Sequence, residues 1–163
     1  MTIGVITHII STSYRQQVTR VIQRMGTPKQ IDLGLAVLRV VTGLVFAAHG
    51  YQKFFIMGIE GTTGFFTQLG VPLPGIAAIL VATLELAGGI AVVLGIFTRL
   101  IAVPLAIDMA SAILFFHAKN GFFVPAGIEF VMTLMAASIA LALAGPGSPS
   151  LDRMMSRGPD SHG

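Results

Sequence analysis

Seven ionisable side chains lie inside the long apolar stretches of this sequence, where a charge is difficult to accommodate. A charged side chain at the centre of a bilayer costs about 2.5 to 3.5 kcal/mol on insertion scales, so such residues normally face a partner or a water-filled cavity. Groups held in this way can bind a polar ligand or exchange protons. They are Arg39, His49, Lys53, Glu85, Asp108, His117 and Glu129.

Three of these residues follow one face of the first apolar stretch. At about 100° per residue, His49 and Lys53 lie within roughly 80° of Arg39 around a helix. The opposite face carries mostly Val and Leu. This pattern indicates a helix with one face toward protein and the other toward lipid.

The composition is that of a membrane protein rather than a soluble domain. Hydrophobic residues make up 54% of the 163 residues and charged residues only 10%, against roughly 25% charged in soluble domains. The sequence contains no Cys, which excludes thiolate nucleophiles, disulfide exchange and Cys-based metal sites in this chain. The net charge of +3 comes with no run of Lys or Arg, so no nucleic-acid partner is expected.

Four apolar stretches can each cross a hydrocarbon core, which needs about 20 helical residues. The sequence therefore predicts an all-α fold, a polytopic membrane four-helix bundle in a single domain covering residues 1–163. A segment at 1–32, with an interfacial helix at 13–25, precedes the four transmembrane helices of 33–145, and a tail of 146–163 follows. The predicted spans are residues 33–54, 75–97, 100–118 and 124–145.

The distribution of Lys and Arg predicts the orientation of these helices. Seven of these residues precede the first span, connect the second to the third, or follow the fourth, and only Lys53 and Lys119 belong to the opposite side. The excess of positive charge places both termini in the cytoplasm. The N-terminal stretch lacks the pattern of a cleaved signal peptide, so we expect the first span to direct insertion.

Depth in the membrane divides the seven ionisable residues into two layers. Counting about 1.5 Å per residue from each cytoplasmic helix end places Arg39 about 9 Å deep, Asp108 about 13 Å and Glu85 about 18 Å. We expect Arg39 and Asp108 to form an ion pair, with Glu85 as a further partner. Such a pair can be purely structural, fixing which helices meet.

The outer layer predicts a ligand-binding or proton-exchange cluster. Two imidazoles, an ammonium and carboxylates near a cavity mouth can have their proton affinities tuned by their surroundings. The alternative is that each His is an interfacial residue bonded to water. A metal site is not predicted, because no helix carries HxxxH or ExxH spacing. The predicted cluster comprises His49, Lys53, Glu85, His117 and Glu129.

The connection between the first two spans is rich in Phe and Gly. Thr62 or Thr63 can cap a short helix that carries Phe65 and Phe66, and Gly70 can end it. We expect this helix to lie at the outer interface, either as a lid or as a loop with no role beyond anchoring.

Several segments together resemble the DoxX family of small bacterial membrane proteins. They are LRVVTGLVFAAHGYQKFF, GFFTQLGVPLPG, ATLELAGGIAVVLG with TRLIA, and GPGSPSLD, and the resemblance covers about residues 33–152. It implies a four-helix bundle in the bacterial cytoplasmic (inner) membrane, related to subunits of quinone-linked sulfur oxidation and to membrane partners of redox enzymes. The positions that match the family pattern are Arg39, His49, Gly50, Lys53, Glu85, Gly88, His117 and Glu129.

Two hypotheses of different classes follow. In the first, the protein is a redox accessory in the lipid bilayer that binds a quinone or another amphipathic molecule through the polar cluster, with no metal and no covalent cofactor. In the second, it is a noncatalytic scaffold or a partner-binding subunit of an oxidoreductase complex. A redox-enzyme partner and a homo-oligomer are compatible with both. A transporter is a third hypothesis, which has less support because no inverted repeat is visible in the sequence.

Overall fold

Residues 27–156 are described by a computed structural model, in which they form six helices and no strand. The predicted all-α fold is confirmed. The predicted interfacial helix at residues 13–25 lies outside the described part of the chain. The helices are α1 (Pro28–Ile56), α2 (Gly58–Gln68), α3 (Pro74–Leu94), α4 (Thr98–Asn120), α5 (Glu129–Ala144) and α6 (Leu151–Ser156).

Helices α1, α3 and α4 are long and apolar enough to cross a membrane, with 29, 21 and 23 residues. They run alternately between two ends of the bundle. The tail end holds the start of α1 and the short helix α6, and the loop end holds α2 and residues 121–128. Apolar side chains from all four long helices form the core, which contains Phe46, Val92, Ala102, Leu105, Met109, Val131, Leu134 and Leu141.

The fourth helix is shorter than predicted. Helix α5 has 16 residues, about 24 Å, and begins at Glu129 rather than at 124. The preceding residues fold into a loop closed by backbone hydrogen bonds, from the Ile128 N–H to the Gly121 carbonyl (3.1 Å) and from the Glu129 N–H to the Phe122 carbonyl (3.0 Å). Pro125 and Gly127 were the available signals for this loop, but the Phe and Val residues around them suit a membrane helix equally well.

Helix α1 begins with a local signal in the sequence. The Thr27 hydroxyl accepts from the Gln30 N–H at 3.3 Å, and the Gln30 side chain accepts from the Thr27 N–H at 2.8 Å. This capping box satisfies amide groups that have no partner within the helix. Pro28 follows at the first turn, where its missing N–H costs nothing. The helix therefore starts five residues earlier than predicted.

Glycines allow α1 and α3 to approach closely. A Cβ atom at Gly50 would overlap the backbone of Leu86, and one at Gly89 would lie 2.5 Å from the Ala47 nitrogen. Small residues at such positions are typical of packed membrane helices. Gly88 likewise meets side chains of α4, where a Cβ atom would lie 3.1 Å from the Ile101 Cγ2.

Each of the three long helices contains one π-helical turn. Such turns insert an extra residue into the helix and occur frequently at functional sites, because they redirect neighbouring side chains. Two of them contain residues of the predicted cluster at mid-turn, and the third ends on one. The turns are Gln52–Ile56, which contains Lys53, Leu84–Gly88, which contains Glu85, and Ile113–His117.

The predicted short helix in the Phe-rich connection is present as α2, but its predicted cap is wrong. The helix begins at Gly58, where φ is +71°, and Gly70 follows its end with φ +73°. Thr62 lies inside the helix and donates to the Lys53 carbonyl at 3.2 Å and to the Gly58 carbonyl at 3.0 Å. The ring of Phe65 packs edge-on against Phe116 of α4 at 5.4 Å. Helix α2 therefore covers the loop end of the bundle.

Candidate functional site

The centre of the candidate site is an ion pair between α1 and α3. The Lys53 Nζ lies 2.5 Å from the Glu85 Oε2, and the two side chains are 19% and 4% exposed. The close approach at Gly50 places the end of α1 against the turn of α3 that carries Glu85. A long Lys side chain can then reach down to a carboxylate deeper in the bundle.

Asp108 joins this pair from α4. Its charged neighbours are Glu85 and Lys53, and its carboxyl group lies within hydrogen-bonding reach of the Glu85 carboxyl. Two carboxylates this close repel unless they share a proton or a cation lies between them. The Asp108 Oδ2 is buried and has no hydrogen-bond partner among residues 27–156.

His49 contributes an imidazole to the same region. It lies half-buried on α1, and its charged neighbours are Lys53 and Glu85. The His49 ring also lies 6.0 Å from the ring of Phe130 on α5. Four helices therefore surround one group of side chains, His49, Lys53, Glu85 and Asp108, which we call the buried polar cluster.

The other two predicted members of the outer cluster have different positions. The His117 Nδ1 lies 2.6 Å from the Ala126 carbonyl oxygen, and the Glu129 Oε1 accepts from the Val124 N–H at 2.8 Å. Neither side chain forms an ion pair within the described residues. Both hold the loop before α5, so the predicted cluster of five residues is only partly assembled.

The predicted ion pair between Arg39 and Asp108 is wrong. Arg39 is only 4% exposed, but its guanidinium donates to the carbonyls of Pro146 (3.0 Å) and Pro149 (2.8 Å) in the tail. Depth counting could not foresee this contact, because it assumed that the tail leaves the bundle. The tail instead folds back and provides acceptors nearer than Asp108.

Asp152 is a second contact of the tail that the sequence analysis missed. Its carboxylate accepts from the backbone N–H groups of Phe97 (2.8 Å) and Thr98 (3.1 Å), and so caps the start of α4. Arg153 pairs with Asp32 of α1 on the surface. We call these contacts of Arg39, Asp152 and Arg153 the tail lock. The segment GPGSPSLD was the available signal, but Gly, Pro and Ser also suit an exposed tail.

Comparison with known proteins identifies the family. The DoxX family profile matches residues 34–118, just over half of the chain. This chain belongs to the DoxX family. The matched region contains the whole buried polar cluster and Arg39, whereas the tail lies outside it. No solved structure matches the chain.

Several relatives align with this DoxX protein over most of their own length. A Bacillus subtilis protein named "Putative oxidoreductase CatD" is 38% identical over 80% of this chain and 92% of its own length. The Escherichia coli inner membrane protein YphA is 31% identical over 79% of this chain and 99% of its own. The inner membrane protein YqjF of the same organism is 30% identical, over 77% and 95% respectively. The family and the helices both indicate a protein of the lipid bilayer.

The cluster of this DoxX protein offers donors and acceptors rather than a set of metal ligands. Among residues 27–156, no three His, Asp or Glu side chains converge in a way that could hold a metal ion. An ammonium group has three donors, and Lys53 uses one on Glu85. Asp108 accepts. The arrangement can therefore bind a small polar group and hold a proton between two carboxyls.

Proposed function

We propose that this protein binds a quinone-like amphipathic molecule at the buried polar cluster, as the membrane accessory of an oxidoreductase. The observation that carries the proposal is Asp108, which lies beside the ion pair of Lys53 and Glu85 and has a buried oxygen with no hydrogen-bond partner among residues 27–156. Buried polar atoms are nearly always satisfied, so an exception inside a bundle points to a missing partner. The name of the relative CatD supports a redox context.

The chain's own groups fit a ligand of this class. Lys53 has donors left for a ring carbonyl, and Asp108 has an acceptor left for a ring hydroxyl. The apolar helix walls suit a hydrocarbon tail. A bound quinone supplies two-electron, two-proton chemistry, and the electrons would come from a partner oxidoreductase. Glu85 and Asp108 place two carboxyl groups beside the ligand, and His49 is their titratable neighbour on α1.

Lipid extraction from the purified protein tests this proposal. We expect mass spectrometry to find about one quinone per wild-type chain, and much less in Glu85→Gln, which loses the anionic partner of Lys53. The matched control is Glu60→Gln, which removes an exposed acid from α2 outside the cluster. Equal quinone in all three proteins, or none above the lipid background, would contradict the proposal.

The alternative is a noncatalytic scaffold or partner-binding subunit. The observation that favours it is the way in which charges tie helices together, since the pair of Lys53 and Glu85 joins α1 to α3. Buried pairs sometimes serve only to fix such contacts. A soluble protein that copurifies at constant ratio, from membranes in which the chain carries no quinone, would favour this reading.

The orientation proposed for the chain is that both termini face the cytoplasm. It is supported by the excess of Lys and Arg at the tail end. Reporter fusions after Arg24 and Arg157 should read cytoplasmic, and fusions near Gly61 and Asn120 should read external. Termini on opposite sides of the membrane would contradict it.

A further inference from the structure

The buried polar cluster has an uneven supply of donors and acceptors. The Lys53 ammonium and the Glu85 carboxylate satisfy each other across 2.5 Å. Asp108 is next to them, yet its buried Oδ2 receives no hydrogen bond from residues 27–156. The side chain of Asp108 is therefore the part of the site that lacks a partner.

Charge balance identifies what kind of partner is missing. Among residues 27–156, Lys53 is the cation beside the two carboxyls and balances one of them, so one proton on the carboxyl pair makes the three groups neutral together. That proton satisfies one oxygen of Asp108, and the second oxygen remains an acceptor. The remaining titratable neighbour, His49, faces Lys53 and Glu85. None of these groups donates to the Asp108 Oδ2 in the described part of the chain, so this oxygen lacks a hydrogen-bond donor.

The donor must also reach a site among membrane helices. A cationic donor would have to be desolvated on the way in, which is costly, whereas a hydroxyl adds no charge. A ring hydroxyl on an apolar molecule meets both conditions. The oxidised ring of a quinone does not, because its carbonyls would place acceptor against acceptor at Asp108.

We propose that Asp108 makes this site selective for the reduced, hydroxyl-bearing form of its ligand, a quinol or a similar phenol, by accepting the ring hydroxyl. This inference rests on the proposed function. Lys53 still binds either form through its free donors, so Asp108 sets the preference between them. Tighter binding of the reduced form raises the two-electron potential of the bound couple, by about 30 mV for each tenfold preference.

The test compares three ligands on the full-length protein in lipid nanodiscs without oxygen. They are a tailed benzoquinone, its quinol, and the dimethyl ether of that quinol, which keeps the shape but has no donor. We expect the quinol to bind about tenfold more tightly than the quinone, since it makes one more hydrogen bond to a charged group. The ether should bind no better than the quinone.

Two variants sharpen the test. Asp108→Asn can turn an amide N–H toward a quinone carbonyl, so we expect the preference for the quinol to vanish or reverse. Ser111→Ala is the matched control on the same helix, because the Ser111 hydroxyl only donates to the Ile107 carbonyl of its own turn. It should keep the wild-type preference.

Each outcome decides a different statement. If wild-type protein binds quinone and quinol with equal affinity, or binds the ether as tightly as the quinol, the proposed selectivity by Asp108 is wrong. The proposal that the cluster binds a quinone is not contradicted by that result. A quinol preference that persists in a folded Asp108→Asn protein overturns the proposed selectivity too. If wild-type protein binds neither form, the proposed function fails along with the inference. The wild-type comparison with the ether decides the question even if Asp108→Asn does not fold.

Discussion

The tail lock and the buried polar cluster both hold charged side chains against apolar helices, but they satisfy those charges differently. In the tail lock, Arg39 donates to two carbonyls and Asp152 accepts from two backbone amides. In the cluster, Lys53 and Glu85 satisfy each other while Asp108 has a buried oxygen without a partner. The tail lock also has buried atoms without a partner among residues 27–156, the Arg39 Nε and the Thr98 Oγ1, but the Arg39 charge is shared with two other nitrogens that do donate.

This difference predicts that the tail lock contributes to stability and that the buried polar cluster contributes to ligand binding. Charges that are satisfied by the chain itself stabilise the fold, and removing them should cost stability without affecting a ligand. A buried polar group that the chain leaves unsatisfied weakens the fold, and such groups are found at functional sites. The comparison is therefore tested by substitutions for which both the free energy of unfolding and the amount of retained ligand are measured.

The largest loss of stability is expected from Lys53→Met. Among residues 27–156 it removes the cation that lies beside the carboxyls of Glu85 and Asp108, and breaking one partner of a buried pair typically costs about 3 to 5 kcal/mol. Unfolding by a denaturing detergent, followed by circular dichroism, measures the change. Adding Glu85→Gln to Lys53→Met should recover most of the loss, because the Asp108 carboxyl can then keep a proton and no charge is left unbalanced. Strictly additive losses would show that the two side chains do not depend on each other.

Arg39→Leu is expected to cost about 2 to 3 kcal/mol, since it removes two hydrogen bonds from a charged donor to buried carbonyls. Quinone content per folded chain should not change, because Arg39 lies at the tail end and not in the cluster. Arg153→Leu is the control, since its partner Asp32 and its own side chain are partly exposed; it should cost at most about 1 kcal/mol. If folded Arg39→Leu protein retains less quinone, the tail lock also contributes to ligand binding, and the two regions do not have separate roles.

Asp152→Ala should have a smaller effect, about 1 kcal/mol, because it removes a helix cap. The change should be local. Hydrogen exchange at the amides of Phe97 and Thr98, which Asp152 caps, should become faster, and exchange in the middle of α4 should not. Uniformly faster exchange along α4 would mean that the tail lock holds the whole helix rather than its first turn.

Much of the fold was predictable because the membrane limits the choices. Apolar length placed three spans within a few residues, and the 1.5 Å rise placed Asp108 near Glu85, which the structure confirms. The same count put Lys53 and Asp108 in separate layers, although the predicted cluster did join Lys53 to Glu85. It failed there because it locates the backbone, whereas the Lys side chain extends several ångströms toward Glu85.

The rest depended on tertiary contacts with no local signal. The tail folds back because the carbonyls of Pro146 and Pro149 meet Arg39 some 110 residues away in sequence. The sequence analysis did not foresee the π turn at Leu84–Gly88, because the apolar residues around Glu85 suit a regular α-helix equally well. His117 and Glu129 were assigned to a cluster by type and depth, but both instead bond to the loop before α5.

The smallest effect on stability is expected from Asp108→Asn, and it is the one that separates the two regions most sharply. The substitution keeps the shape of the side chain and removes a carboxyl that lies beside Glu85 and has a buried oxygen without a donor. Lys53 and Glu85 remain as a balanced pair. We therefore expect the free energy of unfolding to change by less than about 1 kcal/mol, in either direction, because repulsion is relieved as an interaction with Lys53 is lost. The same detergent unfolding experiment measures this change, with Ser111→Ala as the reference on α4. If Asp108→Asn instead loses as much stability as Lys53→Met, Asp108 is a structural group whose partners stabilise the fold, and the cluster resembles the tail lock rather than a binding site.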